Sequence, residues 1–381
     1  MNAELVELVR TALARDPGDL TPHRVAGALR AAGRPVGDAT VLEVHEQLRR
    51  EVVGAGPLEP LLRLPGVTDV LVNGPDQVFL DRGDGLEPAA VRFPDDVAVR
   101  RLAQRLASAG GRRLDDAVPF VDTRLPDGTR VHACLSPVAR PGTVISLRVP
   151  RARGFTLDEL VDAGMLGDGA ARLLSTIVEA RLAFLVSGGT GSGKTTLLAS
   201  LLSLVDPAER VVLVEDATEL RPTHPHVVGL EARPPNVEGA GAIELRTLVR
   251  QALRMRPDRL VVGEVRDASV VELLAALNTG HAGGCGTLHA NSAADVVARV
   301  EALALAAGLS RVATHSQLAS AIEAVLHLER GPDGRRRLRE IAVPRRDPDG
   351  LVRLESAITF DLSGSPVPGP AESRLAERLA P

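Results

Sequence analysis

A glycine-rich segment between an apolar run and a leucine-rich run places the tightest constraint on the fold of this chain. Residues 188–195 read GGTGSGKT, which is the pattern G-x-x-x-x-G-K-T. The preceding run, LAFLVS at residues 182–187, is typical of a buried strand, and the leucines and alanines of residues 197–204 favour a helix. A strand, a glycine-rich turn and a helix in this order predict a phosphate-binding loop inside an α/β domain.

The residue types of this segment match what a triphosphate requires. Glycines permit backbone conformations in which successive N–H groups point at phosphate oxygens, and the following helix adds its positive end. We expect Lys194, the only lysine in the chain, to reach the β- and γ-phosphates, and Thr195 to bind Mg²⁺. The predicted nucleotide-binding residues are Gly188, Gly189, Thr190, Gly191, Ser192, Gly193, Lys194, Thr195 and Thr196.

Composition narrows the class of protein. A chain of 381 residues with 44% hydrophobic and 25% charged residues is typical of a globular protein with two or three domains. The net charge of −4 and the absence of Trp and Tyr argue against direct binding of nucleic acid. No signal peptide or membrane-spanning run is recognisable, and Cys134 and Cys285 read as free thiols. We expect a cytoplasmic protein that reaches the membrane only through partners.

Changes of pattern along the chain predict its domain organisation. A helical face at residues 4–14 is broken at Asp16-Pro17-Gly18, and Asn73-Gly74-Pro75-Asp76 has the composition of a hairpin turn. The predicted segments are an N-terminal helical region at 1–56, an α+β domain at 57–150, a linker at 151–157, an α/β domain at 158–330, a C-terminal hairpin region at 331–362 and a flexible tail at 363–381.

Ionisable residues follow three predicted strands of the α/β domain. They are Glu215, Asp216 and Glu219 after the first strand, Glu264, Arg266 and Asp267 after the second, and His289 and Asn291 after the third. Because functional residues collect at the carboxyl ends of parallel strands, we expect them to face the phosphate loop. Phosphoryl transfer needs one carboxylate for Mg²⁺ and another for the attacking water. Glu219 and Glu264 are the leading candidates, with Asp216 as a further metal ligand.

Three further sets of residues have both a functional and a purely structural interpretation. His281 and His289 lie in glycine-rich segments, and we expect them beside the phosphates rather than in purely structural roles. Arg124, Arg130 and Arg148 are either solvated strand residues or arginines that reach a phosphate held by another domain or subunit, and sequence alone does not choose. The stripe of Arg246, Arg250 and Arg254 on one helix is equally open, either solvated or a subunit contact.

The motifs together resemble a known family. The segments GGTGSGKTT, EDATEL, ALRMRPDRLVVGEVRD and TGHAGGCGTLHANS resemble the secretion ATPase superfamily of type II and type IV secretion and type IV pili. The runs GPLEPLL, VTDVLVNGPDQVFLD and DTRLPDGTRVHACLSPVA resemble its CpaF/TadA branch, the motor of Tad (Flp) pili. The resemblance covers roughly residues 40–330.

The resemblance implies a fold and roles for single residues. It implies a homohexamer in which a C-terminal RecA-like P-loop ATPase domain follows a small α+β, PAS-like domain and an N-terminal helical region. ATP and Mg²⁺ are the implied ligands, with Glu219 as catalytic glutamate and Glu264 as Walker B acid. His281 and His289 match the His-box region, and the three arginines become phosphate contacts. Arg148 precedes Val149-Pro150 where the family suggests a basic or aromatic pair.

The resulting hypothesis is an ATP-hydrolysing motor that drives assembly, or retraction, of a Tad/Flp pilus through inner-membrane platform proteins. A type IV secretion or conjugal-transfer ATPase, which exports protein or DNA, is the nearest alternative. A small-molecule P-loop kinase and a non-catalytic protein that keeps a nucleotide pocket are more distant alternatives.

Overall fold

The chain divides into two units, Met1–Arg151 and Ala152–Pro381. The computed structural model describes residues 5–12 except 7 and 10, 21–34, 37–52, 54–83, 85–125, 127–150, 154–233, 235, 239–331 and 333–380. The described residues between 5 and 12 are helical, as predicted, whereas the break at residues 16–18 and residues 151–153 of the predicted linker lie outside the described residues.

The first unit begins with helices. They are α1 (Pro22–Ala31), α2 (Asp38–Val52), a 3-10 turn (Gly56–Leu58) and α3 (Glu59–Leu62). Thr21 caps α1 by accepting a hydrogen bond from the backbone N–H of Arg24, and Pro22 opens the first turn. Leucines and valines of α1, of α2 and of residues 5–9 form a small separate core.

A six-stranded antiparallel sheet completes the first unit. Its strands are β1 (Asp69–Asn73), β2 (Val78–Asp81), β3 (Leu86–Pro88), β4 (Phe120–Arg124), β5 (Arg130–Cys134) and β6 (Val144–Arg148), in the order β3-β2-β1-β6-β5-β4. The predicted hairpin turn at residues 73–76 is confirmed, because β1 and β2 pair on either side of it. One face buries Val131, Ile145 and Leu147 against helix α4 (Asp96–Ala109). This is the predicted α+β arrangement.

The second unit is built on a nine-stranded sheet. Its strands are β7 (Phe184–Gly188), β8 (Val211–Glu215), β9 (Val227–Glu231), β10 (Arg259–Val262), β11 (Cys285–His289), β12 (Ala324–Arg330), β13 (Arg336–Arg346), β14 (Val352–Phe360) and β15 (Pro366–Pro368). Its helices are α5 (Leu157–Asp162), α6 (Asp168–Glu179), α7 (Lys194–Leu202), α8 (Leu245–Ala252), α9 (Ser269–Leu277), α10 (Asp295–Ala306), α11 (Arg311–Ala321) and α12 (Glu372–Leu379).

The order β9-β8-β10-β11-β7-β12 is parallel throughout, and β13, β14 and β15 extend it antiparallel. One hydrophobic core lies under α5, α6, α7 and α12, and a second lies under α8 to α11 on the other face. Burial on both faces explains why β7, β8 and β10 are continuous apolar runs rather than alternating ones. The predicted α/β class is therefore confirmed.

The C-terminal segments differ from the sequence prediction. The hairpin of β13 and β14 joins the main sheet through β12, so the predicted boundary at 330/331 falls inside one sheet. The predicted flexible tail is wrong, because β15 and α12 pack on the same unit. Leu375 is 2% exposed within the first core, and Arg374 forms a 3.0 Å ion pair with Glu355.

Among the residues that the structure describes, the helices are too short or too polar to cross a bilayer.

The packing of α12 predicts a measurable cost for truncating Leu375. Leu375→Ala should lower the free energy of unfolding by about 2–4 kcal/mol, because it removes buried methyl groups from a formed core. Urea denaturation followed by circular dichroism measures this difference. Leu362→Ala, at a position 82% exposed in the same segment, is the control and should change the value by less than about 0.5 kcal/mol. Equal values for the two variants would mean that α12 is not part of the folded unit.

Candidate active site

The glycine-rich loop lies at the carboxyl end of the central strand β7. Gly188, Gly191 and Gly193 have φ angles of 152°, 70° and 97°, in the region that favours glycine. A side chain at 188 would also meet the carbonyl oxygen of Leu328 and, at 2.6 Å, the hydroxyl of Ser192. Helix α7 begins at Lys194, directly after the loop. The backbone therefore has the strand–loop–helix geometry that the motif predicts.

Lys194 lies folded across its own loop. Its Nζ donates hydrogen bonds to the carbonyl oxygens of Gly188, at 3.0 Å, and Gly189, at 2.9 Å, and the residue is only 7% exposed. Burial lowers the pKa of Lys194, and the charge of Glu264 opposes that shift. Ser192 Oγ is buried and has no hydrogen-bond partner among the described residues. A buried ammonium group and a hydroxyl without a hydrogen-bond partner in one loop can both bind an anion.

Glu264 and His289 meet beside the loop, as their strands predict. Because β11 pairs with β7 in parallel, with His289 opposite Gly188, the imidazole lies at the same edge as the loop. His289 Nε2 is 2.9 Å from Glu264 Oε1, and both ring nitrogens are 3.5 Å from Lys194 Nζ. Burial and the charge of Lys194 lower the pKa of His289, and Glu264 raises it. A neutral ring that donates Nε2–H to the carboxylate fits these contacts.

Arg266 connects the carboxylate of Asp216 to the group formed by Lys194, His289 and Glu264. Its Nη2 lies 2.8 Å from Asp216 Oδ2, and its Nη1 lies 3.9 Å from Glu264 Oε2. Asp216 Oδ2 is buried and receives no aligned hydrogen bond, so the short contact is an ion pair of poor angular geometry. Lys194, His289, Glu264, Arg266 and Asp216 thus form one continuous chain of polar contacts.

Glu219 is exposed at the same edge and is held there indirectly. The side chain of Glu215, 3% exposed, accepts 2.9 Å hydrogen bonds from the backbone N–H groups of Glu219 and Leu220. Thr218 Oγ1 donates to Glu231 Oε2 at 2.5 Å from the other side. Burial raises the pKa of Glu215 to about 7, although the two backbone N–H groups act in the opposite direction. Glu215 therefore supports the segment rather than facing the loop.

The structure does not bring His281 to this edge, so its expected place beside the phosphates is wrong. His281 precedes β11, whereas the phosphate loop follows β7, and the two strands are parallel. A five-residue strand separates the two edges by roughly 15 Å. Two glycines after His281 have a packing role instead, since a side chain at Gly283 would overlap the guanidinium of Arg259 and one at Gly284 would overlap Leu277. His281 itself contacts the carbonyl oxygen of Ala276 at 3.1 Å.

Arg124, Arg130 and Arg148 lie side by side in the first unit. They are direct cross-strand partners on β4, β5 and β6, which places their side chains on one face of the sheet. Arg130 forms a 2.8 Å ion pair with Asp122 on that face. Contact of these arginines with a phosphate stays a prediction.

The arginine stripe on α8 is in part internally paired. Arg246 Nε and Arg250 Nη2 each lie 2.7 Å from Glu272 Oε1 on α9. Two of the three arginines therefore join neighbouring helices within one chain.

A buried Ser–His pair beneath the loop was not anticipated. Ser187 Oγ lies 2.9 Å from His327 Nδ1, and His327 is 5% exposed. Burial is the main cause of the lowered pKa of His327. Ser187 directly precedes the loop motif, which is a signal in the sequence, whereas no motif marks His327 on β12.

The donor set at the loop edge fits Mg²⁺ in the presence of phosphates. Among the described residues, no cluster of three or more His, Cys, Asp or Glu side chains has metal-binding geometry. Asp216 and Glu264 offer carboxylate oxygens, Asp216 Oδ2 is a buried atom with an unused lone pair, and Thr195 offers a hydroxyl. Mg²⁺ prefers few protein oxygens and takes the rest from phosphate and water. A cleft of about 460 Å³ lined by Gly189, Thr190, His289, Asn291 and Arg299 adjoins the loop.

A glycine loop on the central strand of a parallel sheet, with carboxylates after neighbouring strands, defines a P-loop nucleoside triphosphatase of the RecA-like kind. The family model described as "Type II/IV secretion system protein" matches residues 51–347. The chain therefore belongs to the type II/IV secretion system protein family and is an enzyme of the secretion ATPase class.

Several curated proteins are similar over most of the chain. "Putative conjugal transfer protein MT3759" of Mycobacterium tuberculosis is 58% identical over 81% of this chain and 90% of its own length. "Probable conjugal transfer protein TrbB" of Sinorhizobium fredii is 32% identical, covering 76% and 87%. Protein VirB11 of Agrobacterium fabrum is 33% identical, covering 65% and 78%. The secretion ATPase resemblance is thus confirmed, whereas the CpaF/TadA branch is not.

Solved structures support the fold. The ATPase DotB of Yersinia pseudotuberculosis matches with a TM-score of 0.51 and 18% identity, covering 82% of this chain and 78% of that one. The pilus retraction motor PilT with bound ADP matches with a TM-score of 0.50 and 20% identity, covering 76% and 78%.

The buried carboxyl of Glu215 predicts a pH-dependent stability. Its pKa is about 7 in the folded state against an ordinary 4.5, so ionisation destabilises the fold progressively as pH rises from about 4.5 to 7. Glu215→Gln keeps an oxygen that accepts the two N–H groups and removes the charge. The variant should therefore be more stable than wild type at pH 8, by an amount on the order of 1–3 kcal/mol, and the difference should shrink towards pH 5.

Thermal unfolding at pH 5 to 8 measures this difference. Glu87→Gln, at an exposed position of the first unit, is the control and should follow the wild-type profile. A Glu215→Gln variant that is less stable than wild type at pH 8 would contradict the assigned burial cost.

Proposed function

We propose that this chain is an ATP-hydrolysing motor of a conjugal-transfer or type IV secretion machine. The main support for the proposal is that the side chains of Lys194, Glu264 and His289 lie together at one edge of the sheet. The choice of machine rests on the names of the relatives, since two of those described above are named as conjugal transfer proteins. Their similarity extends over three quarters or more of this chain.

We propose a role for each residue in ATP hydrolysis, and the geometry of the loop edge supports these roles. The N–H groups of the loop bind the phosphates, and Lys194 exchanges its carbonyl partners at Gly188 and Gly189 for β- and γ-phosphate oxygens. Thr195, Asp216 and Glu264 would hold Mg²⁺, which supplies charge neutralisation on the phosphate oxygens. Glu219, exposed and fixed through its backbone, orients the attacking water. His289 positions Glu264 by donating to its Oε1.

We further propose that the chain works as a homohexamer at the cytoplasmic face of the membrane, with inner-membrane proteins as partners. The support is the family resemblance and the row formed by Arg124, Arg130 and Arg148. Three guanidinium groups on one face of the first unit are suited to a phosphate of the same or a neighbouring subunit. No direct contact with nucleic acid is needed for this role.

A second candidate machine is the Tad/Flp pilus. The observation that favours it is the set of three runs in residues 56–62, 67–81 and 122–139 that resemble the CpaF/TadA branch. The kinase and the non-catalytic protein are set aside, because the chain belongs to a secretion family and has carboxylates around the loop.

Two substitutions separate nucleotide binding from hydrolysis. Lys194→Ala should abolish ATPase activity, because it removes the cation that contacts the phosphates. Glu219→Gln should keep ATP binding and lower turnover by at least 100-fold, since an amide cannot take a proton from water. A phosphate-release assay and fluorescent-nucleotide titration measure the two effects.

Glu372→Gln, an exposed position on α12, is the matched control for Glu219→Gln and should keep wild-type turnover. Normal turnover in either site variant would refute the assignment of the site.

Complementation distinguishes the two machines. A strain that carries only the Lys194→Ala chain should lose conjugal transfer or protein export, measured by mating frequency and by secreted protein, and should keep its surface pili. Loss of pili with normal transfer would favour the Tad/Flp alternative.

A further inference from the structure

The side chain of Arg266 lies between the two carboxylates assigned to Mg²⁺. It approaches Asp216 Oδ2 to 2.8 Å and Glu264 Oε2 to 3.9 Å. Among the described residues, it is the only lysine or arginine within 4 Å of either carboxylate. The other contact of Glu264 is the imidazole of His289, whose Nε2 lies 2.9 Å from Glu264 Oε1. Arg266 therefore places a positive charge in direct contact with both carboxylates.

A divalent cation and this guanidinium cannot occupy the same position. Mg²⁺ binds carboxylate oxygens at 2.0–2.1 Å with octahedral geometry, whereas a guanidinium already lies against the buried Asp216 Oδ2. A cation bound there must displace Arg266, and its binding free energy must offset the loss of the ion pair between Arg266 and Asp216. The negative charge of a triphosphate in the adjoining loop favours a divalent cation over a monovalent guanidinium.

We propose that Arg266 is an internal counter-ion that prevents the acidic pair from binding a divalent cation until a nucleotide arrives. This inference rests on the proposed role of Asp216 and Glu264 in holding Mg²⁺. The guanidinium makes cation binding conditional on the triphosphate. In the nucleotide-free protein it also prevents the repulsion between the two carboxylates. Arg266 is thus a positioning residue that acts through Asp216 and Glu264.

The surroundings of Arg266 allow its side chain to move without disturbing the fold. Its side chain is 55% exposed. The backbone on both sides is fixed, because Val265 N donates to the carbonyl oxygen of Thr287 at 2.8 Å. Asp267 Oδ1 accepts a 2.8 Å hydrogen bond from Ser269 N, at the start of α9. Displacement of Arg266 therefore requires only side-chain rotation into solvent.

Binding of Mn²⁺ to the nucleotide-free full chain tests the proposal. Mn²⁺ replaces Mg²⁺ as the probe, because electron paramagnetic resonance counts the free ion directly. Arg266→Gln should bind Mn²⁺ at least tenfold more tightly than wild type in the absence of nucleotide. Arg266→Lys, which keeps the charge, should stay close to wild type. A purely structural role for Arg266 would not raise metal affinity in the first variant.

Two controls locate the effect. Arg299→Gln removes a positive charge from the same cleft, at a side chain that makes no ion pair with either carboxylate among the described contacts, and should change Mn²⁺ affinity by less than twofold. The double variant Arg266→Gln with Asp216→Asn should return to the weak affinity of wild type. Tight binding retained in the double variant would show that the metal lies elsewhere and would overturn the proposal.

Other outcomes also decide the question. Equal Mn²⁺ affinity in Arg266→Gln and wild type overturns the counter-ion role. If Arg266→Gln does not fold, wild type still provides a test, because micromolar Mn²⁺ binding without nucleotide would contradict the proposal and weak binding that tightens with ATP would support it. None of these titrations requires turnover, so they fail or succeed independently of the ATPase assays on Lys194 and Glu219.

Discussion

The parallel pairing of β7 with its neighbours is the constraint on which the rest of the second unit depends. Because β8, β10, β11 and β7 run in the same direction, the residues that follow each strand collect at one edge. The register that sets His289 opposite Gly188 places an imidazole beside the loop without any local feature of its own. The same constraint excludes His281, which belongs to the opposite end of β11.

Electrostatic balance is the second principle of the site. Lys194 pairs with backbone carbonyls, Asp216 and Glu264 pair with Arg266, and His289 lies between the two groups. Lys194, Asp216 and Glu264, which are proposed to meet Mg·ATP, thus each contact an internal group of opposite polarity. Exchange of these partners for phosphate oxygens and a divalent cation involves several groups together, which links metal binding to nucleotide binding.

Sequence alone predicted the central parallel strands of the sheet but not β12 or the C-terminal segment that packs on the same unit. The loop and β7, β8, β10 and β11 were recognisable, because strands buried on both faces are continuous apolar runs and the loop has a specific motif. Strand β12 has no such motif, and its place beside β7 is set by tertiary pairing. The tail was misread because its Pro and Gly residues obscure the eight-residue helix α12, which is stabilised by packing of Leu375 rather than by propensity.

The site residues also fall into two groups, those that follow a recognisable strand and those whose place depends on tertiary packing. Glu264 and His289 were placed correctly because each follows a recognisable strand. The direction of that strand in a parallel sheet determines at which edge of the sheet the residue lies. His281 has similar glycine-rich surroundings, but it precedes its strand and therefore lies at the opposite edge of the sheet. Gly283 beside it accommodates the side chain of Arg259. The contacts of Arg266, Glu215 and His327 are set by tertiary packing and have no signature in the sequence.

Hydrogen–deuterium exchange of the full chain with and without a non-hydrolysable Mg·ATP analogue tests the central claim most directly. The account predicts that the nucleotide slows exchange in residues 188–196, with further protection around 215–220 and 264–267, because these segments share one edge of the sheet. Unchanged exchange in residues 188–196 at saturating nucleotide would contradict the claim that this loop is the triphosphate site.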